Sequence, residues 1–173
     1  MDMDFYTLDS ADDNVTPIYY VGADTLFAPD NNGIIKDGFP IFNNLFGESY
    51  GCISFDQETL KFEDTIIKGI AHWENAPLFE IKTTGGRILN VSAQQLIMCV
   101  NSDYSDTDQY DQFYEASIAN GLDETTSIII KDGESYKIDG VLEVNFIGEK
   151  PVYYVLSRDN NFVLANGAVL INY

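Results

Sequence analysis

Histidine occurs once in these 173 residues, tryptophan once and cysteine twice, and Lys and Arg together number only 9. Each scarcity excludes something. One His and two Cys cannot fill a four-ligand structural zinc site, and two cysteines are too few for a disulfide framework. Cys52 and Cys99 stand in apolar, strand-like contexts and read as small buried hydrophobes. With 28 acids against 9 basic residues the net charge is −19, the wrong sign for binding a phosphate backbone. That sign also argues against anionic membrane surfaces. No apolar run approaches the roughly 20 residues that cross a bilayer. Met1-Asp2-Met3-Asp4 is acidic where a secretory leader is basic. The expectations are no nucleic acid, no membrane, and a reducing setting: the cytoplasm, or a particle assembled there. The charge favours solubility, and either a protein partner with a basic surface or a divalent cation that relieves local repulsion. For most of these acids a solvated surface is the simpler reading.

What the chain does have is strand-forming material. Tyr and Phe number 11 each, 45% of residues are apolar, and β-branched residues cluster in short runs. That composition fills a core and excludes wholesale disorder. Thirteen glycines, many after Asn or Asp, provide turns. Residues 1–19 are acidic and aromatic without a clear period and end after Thr16-Pro17. They read as an arm that packs on a neighbour or on the domain, with a frayed tail as the alternative. Residues 20–173 form one domain.

Within that domain the pattern is short strands separated by turns. Turns are expected at Pro29 to Gly33 and at Asp37-Gly38, and a single helical turn at Ile41 to Leu45. Cys52 to Phe55 alternates like a strand, turns at Asp56-Gln57-Glu58 and returns at Lys61 to Asp64. Leu78 to Thr83 and Arg87 to Val91 flank Gly85-Gly86, which predicts a hairpin. Leu96 to Val100 is continuously apolar, so both its faces are expected to be buried. Tyr114 to Gly121 is expected as a short helix, and Ser127 to Lys131 as a strand turning at Asp132-Gly133. Turns every 8–12 residues predict an all-β, curved architecture.

The last stretch reads Pro151-Val152-Tyr153-Tyr154-Val155, then Asp159-Asn160-Asn161-Phe162-Val163-Leu164-Ala165-Asn166-Gly167-Ala168-Val169-Leu170-Ile171-Asn172-Tyr173. It resembles the C-terminal block of inteins and hedgehog-type autoprocessing (Hint) domains. That block runs from a Val-Tyr strand through Ala-Asn-Gly to a His-Asn pair before the splice-junction nucleophile. Further matches follow the family order. Asp24-Thr25-Leu26 and Ile41 to Leu45 match the opening block, which sets Tyr20 at the position of the catalytic cysteine. Gly51 to Asp56 resembles the next strand. Gly86-Arg87-Ile88-Leu89-Asn90-Val91, then Ser92-Ala93-Gln94-Gln95, resembles the block ending in Thr-x-x-His. The resemblance implies a Hint fold, a horseshoe with pseudo-two-fold symmetry and short helical turns. It covers nearly everything after the arm.

The residues that would do the chemistry are replaced. Tyr20 stands for the first nucleophile, Ser92 and Gln95 for the Thr and His, Ile171 for the penultimate His, and Tyr173 for the junction nucleophile. Asn172 alone is kept. A phenol cannot fold back on its own peptide bond as a short thiol or hydroxyl does, and Gln95 cannot titrate. Splicing is therefore expected to be absent, with no catalytic residue and no cofactor. The chain reads as a non-catalytic structural or interaction protein, plausibly a component of viral or phage virion assembly, bound to basic partners or oligomeric neighbours. The reading frame from Met1 to the terminal block reads as the whole protein. The alternative is residual autoprocessing, with Asn172 cyclising and releasing Tyr173.

Two further constellations hold chemistry-bearing side chains. His72 with Cys52 or Cys99 is the arithmetic minimum for a hydrolase, but a lone His without a flanking motif reads as a packed or surface residue. Asp103, Asp106, Asp108 and Asp111 crowd one polar stretch, and Asp30-Asn31-Asn32-Gly33 is a second acidic turn. These are candidate calcium ligands without EF-hand spacing. A solvated acidic loop is the favoured reading.

Overall fold

Two 23-residue strands, β4 (Lys61–Thr83) and β9 (Ser135–Ser157), carry the architecture. In the computed structural model the described residues are 7–8, 18–30, 50–101 and 112–173. The turn expected after Asp30, the hairpin at Asp37-Gly38, the helical turn at 41–45 and the acidic stretch 102–111 lie outside them. The smaller strands are β1 (Thr7–Leu8), β2 (Val21–Gly22), β3 (Tyr50–Asp56), β5 (Ile88–Val91) and β6 (Leu96–Asn101). After them come β7 (Gln112–Ala116), β8 (Ser127–Asp132), β10 (Asn161–Val163) and β11 (Val169–Ile171).

The long strands pair antiparallel from Ile67↔Ser157 to Thr83↔Val141, with four register shifts. Each shift is a bulge that bends the ribbon, and Gly148, opposite Leu78, meets one of them with a φ of 99°. The bending lets the sheet return on itself. Phe79 of β4 pairs with Val91 of β5, Val91 with Val21 of β2, Val21 with Tyr153 of β9, and Tyr153 with His72 of β4. The chain is all-β, as its strand-and-turn pattern predicts. A 3₁₀ turn, Ile118–Asn120, is the helical element among the described residues.

Alternation explains the continuous apolar runs. Ile128 and Ile130 enter one core with Ile97, Leu170 and Phe162. Ile129 turns to the opposite core with Met98, Val163, Val169 and Ile171. Strands β6, β8, β10 and β11 are therefore clad on both faces, which a purely apolar sequence requires. A third cluster joins Tyr20, Ala76, Leu78 and Val152.

One expectation is corrected. The short helix over Tyr114 to Gly121 is instead strand β7, paired with β6 from Ile97↔Ala116 to Asn101↔Gln112, followed by the 3₁₀ turn. The edge of β6 leaves backbone groups that need partners, and that tertiary demand outweighs local helix preference. Residues 65–77, for which the sequence analysis names no element, lie in the middle of β4.

Candidate functional site

The residues matched to the splice site converge where β2, β5, β6 and β11 end or begin. Tyr20 immediately precedes β2, and Ser92 immediately follows β5. The Ser92 backbone N–H donates to the Tyr20 carbonyl at 3.0 Å, and its hydroxyl donates to the Ile18 carbonyl at 2.6 Å. A tight turn follows, with the Gln95 N–H donating to the Ser92 carbonyl at 3.2 Å. That turn aims the Gln95 side chain inward, where Nε2 lies 2.7 Å from Asn172 Oδ1 and 3.1 Å from the Ile171 carbonyl. The Asn172 Nδ2 donates to the Val155 carbonyl at 2.7 Å, and its backbone N–H to the Asn160 carbonyl at 2.8 Å. Residue 20 is thus connected to residue 172 through Ser92 and Gln95. Ser92, Gln95 and Asn172 are each 1% exposed or less.

What this arrangement can do chemically is narrow. The Tyr20 ring packs with Ala76, Leu78 and Val152, and its hydroxyl donates to the Pro77 carbonyl. Burial and the nearby Glu149 carboxylate raise its pKa, so the phenol stays protonated. Ile171 is buried in the core and pairs with Leu96. Tyr173 is 64% exposed, and its hydroxyl donates to the Glu115 carboxylate. That bond pushes the phenol up to about 12. No group in the set titrates near neutrality. Gln95 Oε1 is buried without a hydrogen-bond partner among the described residues.

The remaining candidates do not join this set. The His72 ring packs on Tyr153, with centroids 4.8 Å apart. Cys52 Sγ faces the Val163 carbonyl and Cys99 Sγ the Ile97 carbonyl, and burial pushes both thiols up to about 12. Neither is a poised nucleophile. Asp103, Asp106, Asp108 and Asp111 lie outside the described residues. Among the described residues no group of three or more His, Cys, Asp or Glu side chains is placed to hold a metal ion, and no helix is long and apolar enough to cross a membrane. Sequence reasoning missed the carbonyls of Pro77, Val155 and Asn160, because a backbone acceptor leaves no residue signature.

No family model matches the chain, and no curated protein does. Solved structures do. A DnaB intein from Synechocystis sp. PCC 6803 superposes with a TM-score of 0.72 at 15% identity, over 90% of this chain and 99% of the intein. The PabCDC21-1 intein gives 0.70 at 16% identity, over 87% and 97%. A DnaX mini intein from Spirulina platensis gives 0.65 at 18% identity, over 89% and 99%. At such identities the likeness establishes the fold alone. The fold is the Hint fold of inteins.

Proposed function

We propose that this chain is a Hint-fold protein that no longer splices and serves as a structural or interaction component. The observation that carries the reading is the Gln95–Asn172 amide pair. Where bond cleavage needs a proton donor, this site holds two neutral amides locked to each other and to backbone carbonyls. Tyr20, with its hydroxyl committed to Pro77, supports the same conclusion. The charge of −19 favours partners with basic surfaces, in the cytoplasm or in a particle assembled there. A viral or phage virion is the setting we infer, by analogy with repurposed assembly domains. Mass spectrometry of purified particles from the source tests that setting.

The second reading is C-terminal cleavage. Asn172 Nδ2 would attack its own main-chain carbonyl, the bond to Tyr173 would break, and the proton would pass to the departing amine. Retention of Asn172 favours this reading. Against it, Nδ2 donates to Val155 and Oδ1 accepts from Gln95, so both ends of the side chain are held. Intact-mass analysis over several days at neutral pH separates the two. An unchanged mass is expected; loss of the Tyr173 residue with a succinimide left at Asn172 overturns the inert reading.

A further inference from the structure

A cleft of about 410 Å³ lies where the segment Asp24 to Leu26, the β4–β5 hairpin and the β10–β11 turn meet. Hydrogen bonds tie its walls together. The Asn166 Nδ2 donates to the Ile88 carbonyl at 3.1 Å, Arg87 Nε to the Asn166 carbonyl at 2.9 Å, and the Ala165 N–H to the Leu26 carbonyl at 3.1 Å. The cleft is therefore held open before anything enters it. Two large apolar side chains on its walls remain in water: Leu26 is 38% exposed and Ile88 52%.

Two charged residues line the cleft, and only one is committed. Arg87 pairs with Asp139. Asp24 is exposed, and among the described residues no Lys or Arg comes within ion-pair distance of it. Its carboxylate is nevertheless held in place, because Asn90 Nδ2 donates to both oxygens at 3.1 Å each. That orientation leaves Asn90 Oδ1 buried with no donor among the described residues. Turning the amide over would set Oδ1 against the carboxylate. The fold thus leaves a buried acceptor unpartnered to fix a carboxylate that has no counter-ion.

We propose that this cleft receives a lysine side chain of a partner protein, with its ammonium on Asp24 and its four-carbon stem against Leu26 and Ile88. A long cationic side chain buries its stem on apolar surface while its head meets the opposite charge. The position of Asn90 Nδ2 selects ammonium over guanidinium. Equidistant from the two oxygens, it occupies the place where an arginine fork would bridge them. An ammonium is a point charge that needs one oxygen, and each oxygen keeps a lone pair for it. The net charge of −19 draws a basic surface toward the chain, and the cleft sets where one lysine docks. The proposal rests on reading the chain as an interaction protein and names the contact that reading leaves open.

Titration of isotope-labelled full-length protein with Nα-acetyl-lysine methylamide tests it by NMR, read at the Asn90 side-chain amide and the Leu26 and Ile88 backbone amides. Saturable shifts with a dissociation constant of about 1–10 mM are expected for a ligand of this size. The arginine analogue should bind at least about threefold more weakly. The Nζ-acetylated lysine analogue, which has lost its charge, should give no saturable shift. These comparisons use the parent protein and need no variant to fold. Asp24→Asn keeps an acceptor for Asn90 and removes the charge, and it should weaken binding about fivefold, the weight of one exposed ion pair. Ile88→Ser removes an apolar wall and should weaken it about threefold. No saturable shift at these amides up to about 50 mM, well above the expected constant, overturns the proposal. So does binding that persists undiminished in Asp24→Asn or with the arginine analogue. Shifts that gather instead at Glu63, Glu115 and Asp159, which line a separate acidic groove, show only general attraction of a cation and overturn it too. Failure here leaves the intact-mass and particle tests of the proposed function untouched.

Discussion

Gln95 and Asn172, 77 positions apart, are joined side chain to side chain, with Nε2 2.7 Å from Oδ1. The pair fastens the end of β11 to the start of β6, and both residues are buried. Gln95→Ala leaves Asn172 Oδ1 without its donor and opens a cavity, and a loss of about 2–3 kcal/mol is expected. Gln95→Met fills the space and removes the unpartnered Oε1, so its cost is smaller, about 1–2 kcal/mol. With Asn172→Ala the two changes share one bond, and the double variant loses less than the sum of the singles. Urea unfolding of the four proteins checks this cycle; additive losses would show that the bond carries no stability.

The terminal motif has a physical reason at Gly167. Its φ is +97°, and a Cβ there would lie 2.5 Å from Ile130 Cγ2 and 3.0 Å from the backbone of Lys131. Its carbonyl accepts from the Lys131 N–H at 2.9 Å, tying the β10–β11 turn to β8. Gly167→Ala therefore combines left-handed strain with a clash against backbone that cannot move aside. The expected loss exceeds about 2 kcal/mol, read as a fall in thermal midpoint, while Gly133→Ala, with open space around its Cβ, costs less despite a φ of +62°.

Local signals carried much of the fold. Gly85-Gly86 marked the β4–β5 hairpin, Asp132-Gly133 marked the β8–β9 turn, and the run Leu96 to Val100 marked a strand buried on both faces. Residues 65–77 were not legible, because the middle of β4 holds Gly69, His72, Trp73, Asn75 and Pro77 and owes its extended form to β9. Tyr114 to Ala116 carries no local strand signal for the same reason: its strand state comes from β6 across the sheet. At the site, the resemblance to the Hint blocks singled out Tyr20, Ser92, Gln95 and Asn172. Their bonding was not legible, since the partners of Tyr20 and of Asn172 Nδ2 are main-chain carbonyls.

Asp139 supplies a pH-dependent test of what holds the curved ribbon to the terminal turn. Its carboxylate accepts from Arg87 Nη1 at 2.8 Å and also from Gly85 N–H at 2.9 Å and Thr84 Oγ1 at 3.1 Å. The Arg87 Nε donates to the Asn166 carbonyl at 2.9 Å, so one guanidinium ties β9 and the β10–β11 turn to the β4–β5 hairpin. Burial alone raises the Asp139 carboxyl, but hydrogen bonds from Thr83, Arg87, Gly85 and Thr84 outweigh burial and hold it below the usual carboxylate value. A depressed native pKa means that the unfolded chain takes up the proton first. The stabilisation is therefore complete above the unfolded value of about 3.9 and is lost as pH falls through the lower native value. Asp139→Asn leaves Arg87 without its counter-ion and is expected to cost about 3 kcal/mol at pH 7. The difference in thermal midpoint between parent and variant should shrink steadily between pH 4 and pH 2. Arg87→Lys keeps the charge but cannot reach Asp139 and Asn166 together, so it should fall between the two. A parent–variant difference that stays constant down to pH 2 would show that the ionised pair contributes nothing beyond the packing of the same atoms.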